Sequence, residues 1–294
     1  MKLFKIIFVV TGVVSASIFL VGPLVGLPLN YLIYGPAVAS GIGSKLLCSA
    51  NYVSGYSKEQ AFRDLVQYHW FFEHLTIDYD DANKSVTTSL YGIQEKTATA
   101  LPHIGCAVDY PGVNVRRELV TQDTSLSTSP WPQGSGVTTI DDELQRLVEN
   151  IVDSDNNRGL NTRALLVVNA GRIVAETYDQ EASPKMPLLG WSMAKSLMAV
   201  ILGNLEYRNL IDLNRPPGFL EWGDGRSLIT TVNMLNMADG LEFSEEYNPG
   251  DDATAMLFAE PSAANYALQK LAKHKPGSFF NYSSGTANLL AKVH

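Results

Sequence analysis

From Ile6 to Ser44 the chain carries no charged residue. Within that stretch Ile6–Leu29 is almost wholly apolar, broken only by small Thr, Ser and Gly residues and by Pro23 and Pro28. A helix of roughly 20 apolar residues crosses a hydrocarbon core, so the stretch is long enough to span one. Lys2 and Lys5 precede it and the next positive charge is Lys45, which is a positive-inside bias. The expectation is a single-pass inner-membrane anchor within residues 1–35, with the remainder exported to the periplasm. A cleaved signal peptide is the alternative, although its apolar region is normally about 7–15 residues. Lys45, Leu46 and Leu47 lack the small residues that would mark Cys48 as a lipidated cysteine.

The rest of the composition narrows the function classes. The 294 residues hold 22 Lys+Arg against 30 Asp+Glu, a net charge of −8, with 46% hydrophobic and 18% charged residues. Too many apolar residues are present for a disordered chain. The acidic balance argues against a nucleic-acid partner, which would need basic residues to neutralise phosphates. Two cysteines do not make a disulfide scaffold, but in an oxidising compartment Cys48 and Cys106 are candidates for one bridge closing a long loop. Two buried thiols that never meet are the other reading.

Periodicity sets the organisation beyond the anchor. Ser57–Leu75 reads as a helix, and Thr76–Tyr79, Ser85–Tyr91, Thr97–Leu101 and Gly105–Asp109 read as strands of a small sheet. Residues 36–137 are thus expected to form an exported extension, closed by the Ser/Thr/Pro/Gly-rich stretch Asp123–Gly136. A second unit, residues 138–294, opens on an acid-rich helix start at Asp141 and continues as a hairpin, Ala164–Asn169 with Ile173–Tyr178. Helices are predicted at Ser192–Tyr207, Thr231–Met237, Asp252–Phe258, Ala263–Leu271 and Ser284–Val293. The fold class is α+β.

The motif with the most chemistry is Ser192-Met193-Ala194-Lys195, the chain's one Ser-x-x-Lys. It falls where the hairpin has ended and an apolar helix begins. Positions i and i+3 share a helix face, so the Lys195 amine can approach the Ser192 hydroxyl, and the helix N-terminus favours an alkoxide. About ninety residues downstream, Tyr282-Ser283-Ser284 follows Pro276-Gly277-Ser278-Phe279-Phe280-Asn281 on a turn before a helix.

Taken in order, Trp191–Ser196, Ile229–Leu241 and Pro276–Gly285 resemble the serine β-lactamase and penicillin-binding superfamily in its class C and esterase branch. They are most similar to 6-aminohexanoate-dimer hydrolase-like members. The segment Tyr247–Asp252 leading to Met256–Phe258 is similar to the same branch, and the resemblance covers about Thr138 to His294. It implies a β-lactamase-like domain, an antiparallel sheet flanked by helices with an all-helical region, that cleaves a small-molecule amide or ester. Ser192 would be the acylated nucleophile, Lys195 would assist its deprotonation, and Tyr282 would shuttle the proton. The Ser192 N–H would serve half of an oxyanion hole, and Ser284 and Tyr247 would meet substrate.

Ser284 stands where many class C enzymes carry an amide side chain, which fits the esterase-like branch better than a β-lactamase. The superfamily's late strand, bearing Lys or His, a small residue and Gly, does not follow Tyr282. Lys275-Pro276-Gly277 is no substitute, since it precedes Tyr282 and its proline has no N–H. The resemblance therefore implies a C-terminally truncated domain without its late sheet strands, and a non-catalytic, ligand-sensing relative is the alternative.

Other motifs are weaker. Gly190-Trp191-Ser192-Met193-Ala194 nearly fits the nucleophile elbow of α/β-hydrolases, which needs a strand before it and a partner such as His274. Asp153–Gly159 lacks the closing Glu of a calcium loop, and His69 and His74 do not share a helix face. No phosphate-binding glycine loop or Cys-x-x-Cys is present, so neither metal nor cofactor is implied.

Overall fold

The computed structural model describes residues 29–113, 128–134 and 140–293. It divides into two compact units. Among the described residues, one comprises 29–52, 58–113 and 189–293; the other comprises Val53–Ser57, 128–134 and 140–188.

The first unit begins with helix α1, Leu29–Cys48. Its side chains from Val38 onward face protein rather than lipid: Val38, Ala39, Ser40, Leu46 and Leu47 are all buried. Helix α2 (Lys58–Tyr68) and a short 3₁₀ turn (Trp70–His74) lead into a four-stranded meander. Its strands are β1 (Leu75–Asp80), β2 (Ser85–Leu90), β3 (Ile93–Leu101) and β4 (Gly105–Val108), paired antiparallel in chain order. Leu47 and Leu65 pack with Val86, Leu90 and Ala98 in one apolar cluster. Polar links reinforce it: Thr88 donates to the Ser40 carbonyl at 2.6 Å, and the Leu90 N–H donates to Ser40 Oγ at 3.2 Å.

Small residues allow this fit. A Cβ at Gly41 would lie 2.1 Å from the carbonyl oxygen of Phe258, far inside contact distance. Cys48 and Cys106 form a disulfide that ties the end of α1 to β4.

The expected single-pass anchor is corrected here. Among the described residues no helix is long and apolar enough to cross a membrane. Residues 29–35, assigned above to the anchor, are the first turns of α1, a helix whose later part is built into the core. The physical reason is composition shared by two structures: a buried core helix is as apolar as a span. The inner-membrane and periplasmic assignment that rested on the anchor falls with it. Most of the expected span, residues 6–28, lies outside the described residues, as does half of Asp123–Gly136.

The remainder of the first unit is helical. Helix α4 (Met193–Tyr207) is followed by α5 (Thr231–Leu235), α6 (Asp252–Phe258), α7 (Ala263–Leu268) and α8 (Ser284–Leu290). They enclose a second apolar cluster that includes Leu202, Trp222, Met234, Phe243, Met256 and Leu289. Helix α5 starts on a capping box between Thr230 and Asn233.

The second unit, taken by itself, is helix α3 (Asp142–Asn157) on the hairpin β5 (Ala164–Asn169) and β6 (Arg172–Tyr178). Asp141 caps α3 through the N–H groups of Glu143 and Leu144. Gln145 exchanges two hydrogen bonds with the backbone of Glu176. The hairpin turn is the pair Ala170 and Gly171, both at positive φ, so Arg172 belongs to the strand. Residues of the suspected calcium loop are mostly the last turns of α3, and Asp155 accepts from Thr162 at 2.8 Å. Both sheets among the described residues are antiparallel, unlike the parallel sheet of an α/β-hydrolase.

Candidate active site

Ser192 is the N-cap residue of α4, and its side chain makes no capping hydrogen bond. The residue before it, Trp191, has φ of 42°, a left-handed backbone that a bulky side chain rarely adopts. Its ring packs edge-on against Tyr68, with centroids 6.1 Å apart. The chain thus turns sharply into the helix at Ser192, and strain of this kind concentrates at functional sites.

One turn on, Lys195 Nζ lies 3.2 Å from Ser192 Oγ and 3.0 Å from Ser284 Oγ. The same ammonium sits over the Tyr282 ring, 4.8 Å from its centroid. The structure therefore brings Ser192, Lys195, Ser284 and the face of Tyr282 together, with Lys195 at the centre.

The approach to Tyr282 is held by backbone pairing. The Gly277 N–H donates to Ala238 at 2.7 Å, the Asn281 N–H to Met237 at 2.7 Å, and the Asn281 amide to the Phe243 carbonyl at 3.1 Å. Ser283 caps α8 by accepting from the Thr286 N–H at 3.0 Å. Thr286 in turn donates to the buried Asp239 carboxylate at 2.5 Å. Burial pushes the Asp239 carboxyl up, and the hydrogen bonds from Thr286 and the Leu241 N–H oppose that rise. The Ile229–Leu241 stretch thus works as a brace for α8.

Tyr247 enters through Glu245, a residue the sequence did not single out. The Glu245 carboxylate accepts the Ser284 N–H at 2.7 Å, the Ser284 hydroxyl in a very short bond, and the Tyr247 hydroxyl at 2.7 Å. Tyr247 and Ser284 oxygens are 3.5 Å apart. Desolvation, with Glu245 alongside, pushes the Tyr247 hydroxyl above its ordinary pKa, so it remains a donor at neutral pH. The loop between Glu245 and α6 is fixed by Asp252, which accepts from the Ser244 N–H, Tyr266 and Lys270.

Beside these residues opens a cavity of about 350 Å³. Its walls include Ser192, Lys195, Tyr247 and Ser284, apolar side chains of α4, α6 and α8, and Lys45, Leu46 and Ser49 from the N-terminal segment. His274 is stacked on Phe279 with centroids 4.3 Å apart, whereas the groups bonded to Lys195 and Ser192 are those named above. His69 caps the 3₁₀ turn and His74 stacks on Tyr91, so both are packing residues.

No family of known proteins matches this chain by its family model, and no curated protein matches it. Among solved structures it is similar to the "Putative 6-aminohexanoate-dimer hydrolase from Bacillus anthracis", at 20% identity and a TM-score of 0.44. The match takes in 57% of this chain and 48% of that one, so the chain spans about half the length of that protein. A likeness this distant carries no argument for the site, and the chemistry has to be read from the side chains themselves.

Proposed function

We propose that this chain carries a serine hydrolase site of the β-lactamase-related kind, cleaving esters or short amides through an acyl-enzyme on Ser192. The observation that carries the reading is the placement of Lys195 Nζ at 3.2 Å from Ser192 Oγ, with Ser284 and the Tyr282 ring as its other neighbours. A serine is a weak nucleophile until an adjacent base takes its proton. Lys195, one helical turn away and held by a second hydroxyl and an aromatic face, is placed to assist that transfer.

In the acylation step Ser192 Oγ bonds to the substrate carbonyl carbon as its proton passes to the base. The bond from that carbon to the leaving oxygen or nitrogen breaks, and the leaving atom takes the proton back. Water then attacks the acyl-serine ester, and the reverse proton route frees the acid. Tyr282 is the shuttle in this scheme, and Lys195 assists from its place between Ser192 Oγ and the face of the Tyr282 ring. The α4 N-terminus favours negative charge on the serine and on the developing oxyanion.

Short p-nitrophenyl esters test this. The wild-type protein is expected to release p-nitrophenol, Ser192→Ala to lose that activity, and Tyr282→Phe to slow it by about 10²–10⁴-fold. Turnover that survives Ser192→Ala would overturn the reading.

A further inference from the structure

Three of the residues that wall the cavity beside Ser192, namely Lys45, Leu46 and Ser49, come from one short stretch at the end of α1. Cys48 sits among them and is disulfide-bonded to Cys106 on β4. The reacting groups come from elsewhere: Ser192 and Lys195 from the start of α4, and Ser284 from α8. One wall of the cavity is therefore covalently tied to the four-stranded sheet, and the wall that carries the chemistry is not.

We propose that the Cys48–Cys106 bridge positions this wall, and that its reduction by a dithiol loosens the cavity around large acyl groups while leaving the Ser192 cluster in place. The inference rests on the serine hydrolase reading and adds a redox control to its site.

The bridge holds the wall where the helix itself gives way. α1 ends at Cys48, and Ser49 begins a π-helical turn that departs from the regular ladder of an α-helix. Lys45 adds a second tie to the same partner, because its ammonium donates to the Cys106 carbonyl at 3.0 Å. Both fasteners thus meet the sheet at Cys106. The body of α1 does not depend on them: Leu47 packs with Leu65 and Val86, and Ser40 bonds to Thr88 and Leu90. Reduction therefore frees the end of α1 rather than the whole helix. Cys106 lies on an edge strand of the meander and keeps 8% exposure, whereas Cys48 has none, so a thiolate meets the Cys106 sulfur first. A mixed disulfide forms there as the S–S bond breaks, and Cys48 leaves as a thiolate and takes up a proton. The second thiol of the dithiol then closes on the first and releases Cys106. Two electrons and two protons pass from the dithiol to the protein, which gains two thiols, and the dithiol becomes a cyclic disulfide.

The test compares p-nitrophenyl acetate with p-nitrophenyl 4-phenylbutyrate, before and after treatment with dithiothreitol that is then removed by desalting under nitrogen. Iodoacetamide labelling of a folded sample counts the thiols released. Reduction is expected to raise KM for the phenylbutyrate about tenfold and to leave kcat/KM for the acetate within about twofold. Reoxidation should restore the first value. The Cys48→Ala/Cys106→Ala protein should show the raised phenylbutyrate KM without any reductant. A phenylbutyrate KM unchanged by reduction overturns the proposal even while ester turnover upholds the hydrolase reading. So does a bridge that resists excess dithiothreitol in the folded protein, or a loss of both activities together with the melting transition.

Absence of turnover on both esters in the oxidised protein would count against the hydrolase reading instead. In that case calorimetric titration of the oxidised and the reduced protein with 4-phenylbutyramide decides the cavity separately. Binding that weakens about tenfold on reduction supports the proposal, and equal titrations in the two states contradict it.

Discussion

Glu245 receives both the N–H and the hydroxyl of Ser284, so the serine against which Lys195 rests is fixed by a carboxylate from a separate loop. The chain of contacts runs Glu245, Ser284, Lys195, Ser192. Both hydroxyls accept from Lys195, and the Ser284 hydroxyl also donates to Glu245. Glu245 does not itself line the cavity but bonds to Ser284 and Tyr247, which do, and its role is one of positioning.

Glu245→Gln keeps the shape and one acceptor oxygen but removes the charge. Loss of a charge-assisted hydrogen bond costs about 1.5–3 kcal/mol, so acylation of Ser192 is expected to slow about tenfold or more. The pH profile of acylation should shift as well, because the substitution takes a negative charge out of the chain of contacts that ends at Ser192. A rate and profile equal to wild type, at an unchanged melting temperature, would remove Glu245 from the account.

The fit of α1 against the α6 end predicts a stability effect at one atom. Gly41→Ala would place a methyl carbon 2.1 Å from the Phe258 carbonyl oxygen. Backbone must move to relieve that contact, and overpacking of this kind costs about 1–3 kcal/mol. Urea denaturation should show a lower midpoint for Gly41→Ala with an unchanged slope. Gly203→Ala is the control, because a Cβ there meets nothing within 4 Å; equal midpoints for the two variants would contradict the packing.

Asp252 links the site loop to pH. Burial alone would raise its pKa, but hydrogen bonds from Lys270, the Ser244 N–H and Tyr266 hold it below the ordinary carboxylate value. A folded pKa lower than the unfolded value of about 3.9 means stability that is present above that pH and lost as pH falls through the folded pKa. Asp252→Asn should therefore be less stable than wild type at pH 6 by about 1–3 kcal/mol, with the gap closing below about pH 4. A gap that stays constant from pH 6 to pH 2 would contradict the assignment.

The sequence was informative where structure is local. Ser192 and Lys195 are one helical turn apart, and a periodic apolar run marks the helix that holds them, so their meeting was legible from spacing. The hairpin, the small sheet and most helices follow from period and turn residues, and their ends shift by a few positions. Glu245 and Lys45 were not legible, because what gives them meaning is distant: Ser284 lies 39 residues from Glu245 and Cys106 lies 61 from Lys45. Lys45 read simply as the first charge after an apolar run. Helix α1 shows the same limit from the other side. Apolar content identifies burial, and whether the burial is in lipid or in protein depends on contacts such as Gly41 with Phe258 and Ser40 with Leu90.

The central claim is that Ser192 is a nucleophile activated by Lys195, and the most direct measurement is the mass of the protein after exposure to a fluorophosphonate. A single adduct is predicted, located by peptide mapping to Ser192. It should be absent in Ser192→Ala and form far more slowly in Lys195→Ala. No adduct on Ser192 in the folded wild-type protein, or one that forms equally fast without Lys195, would contradict the account.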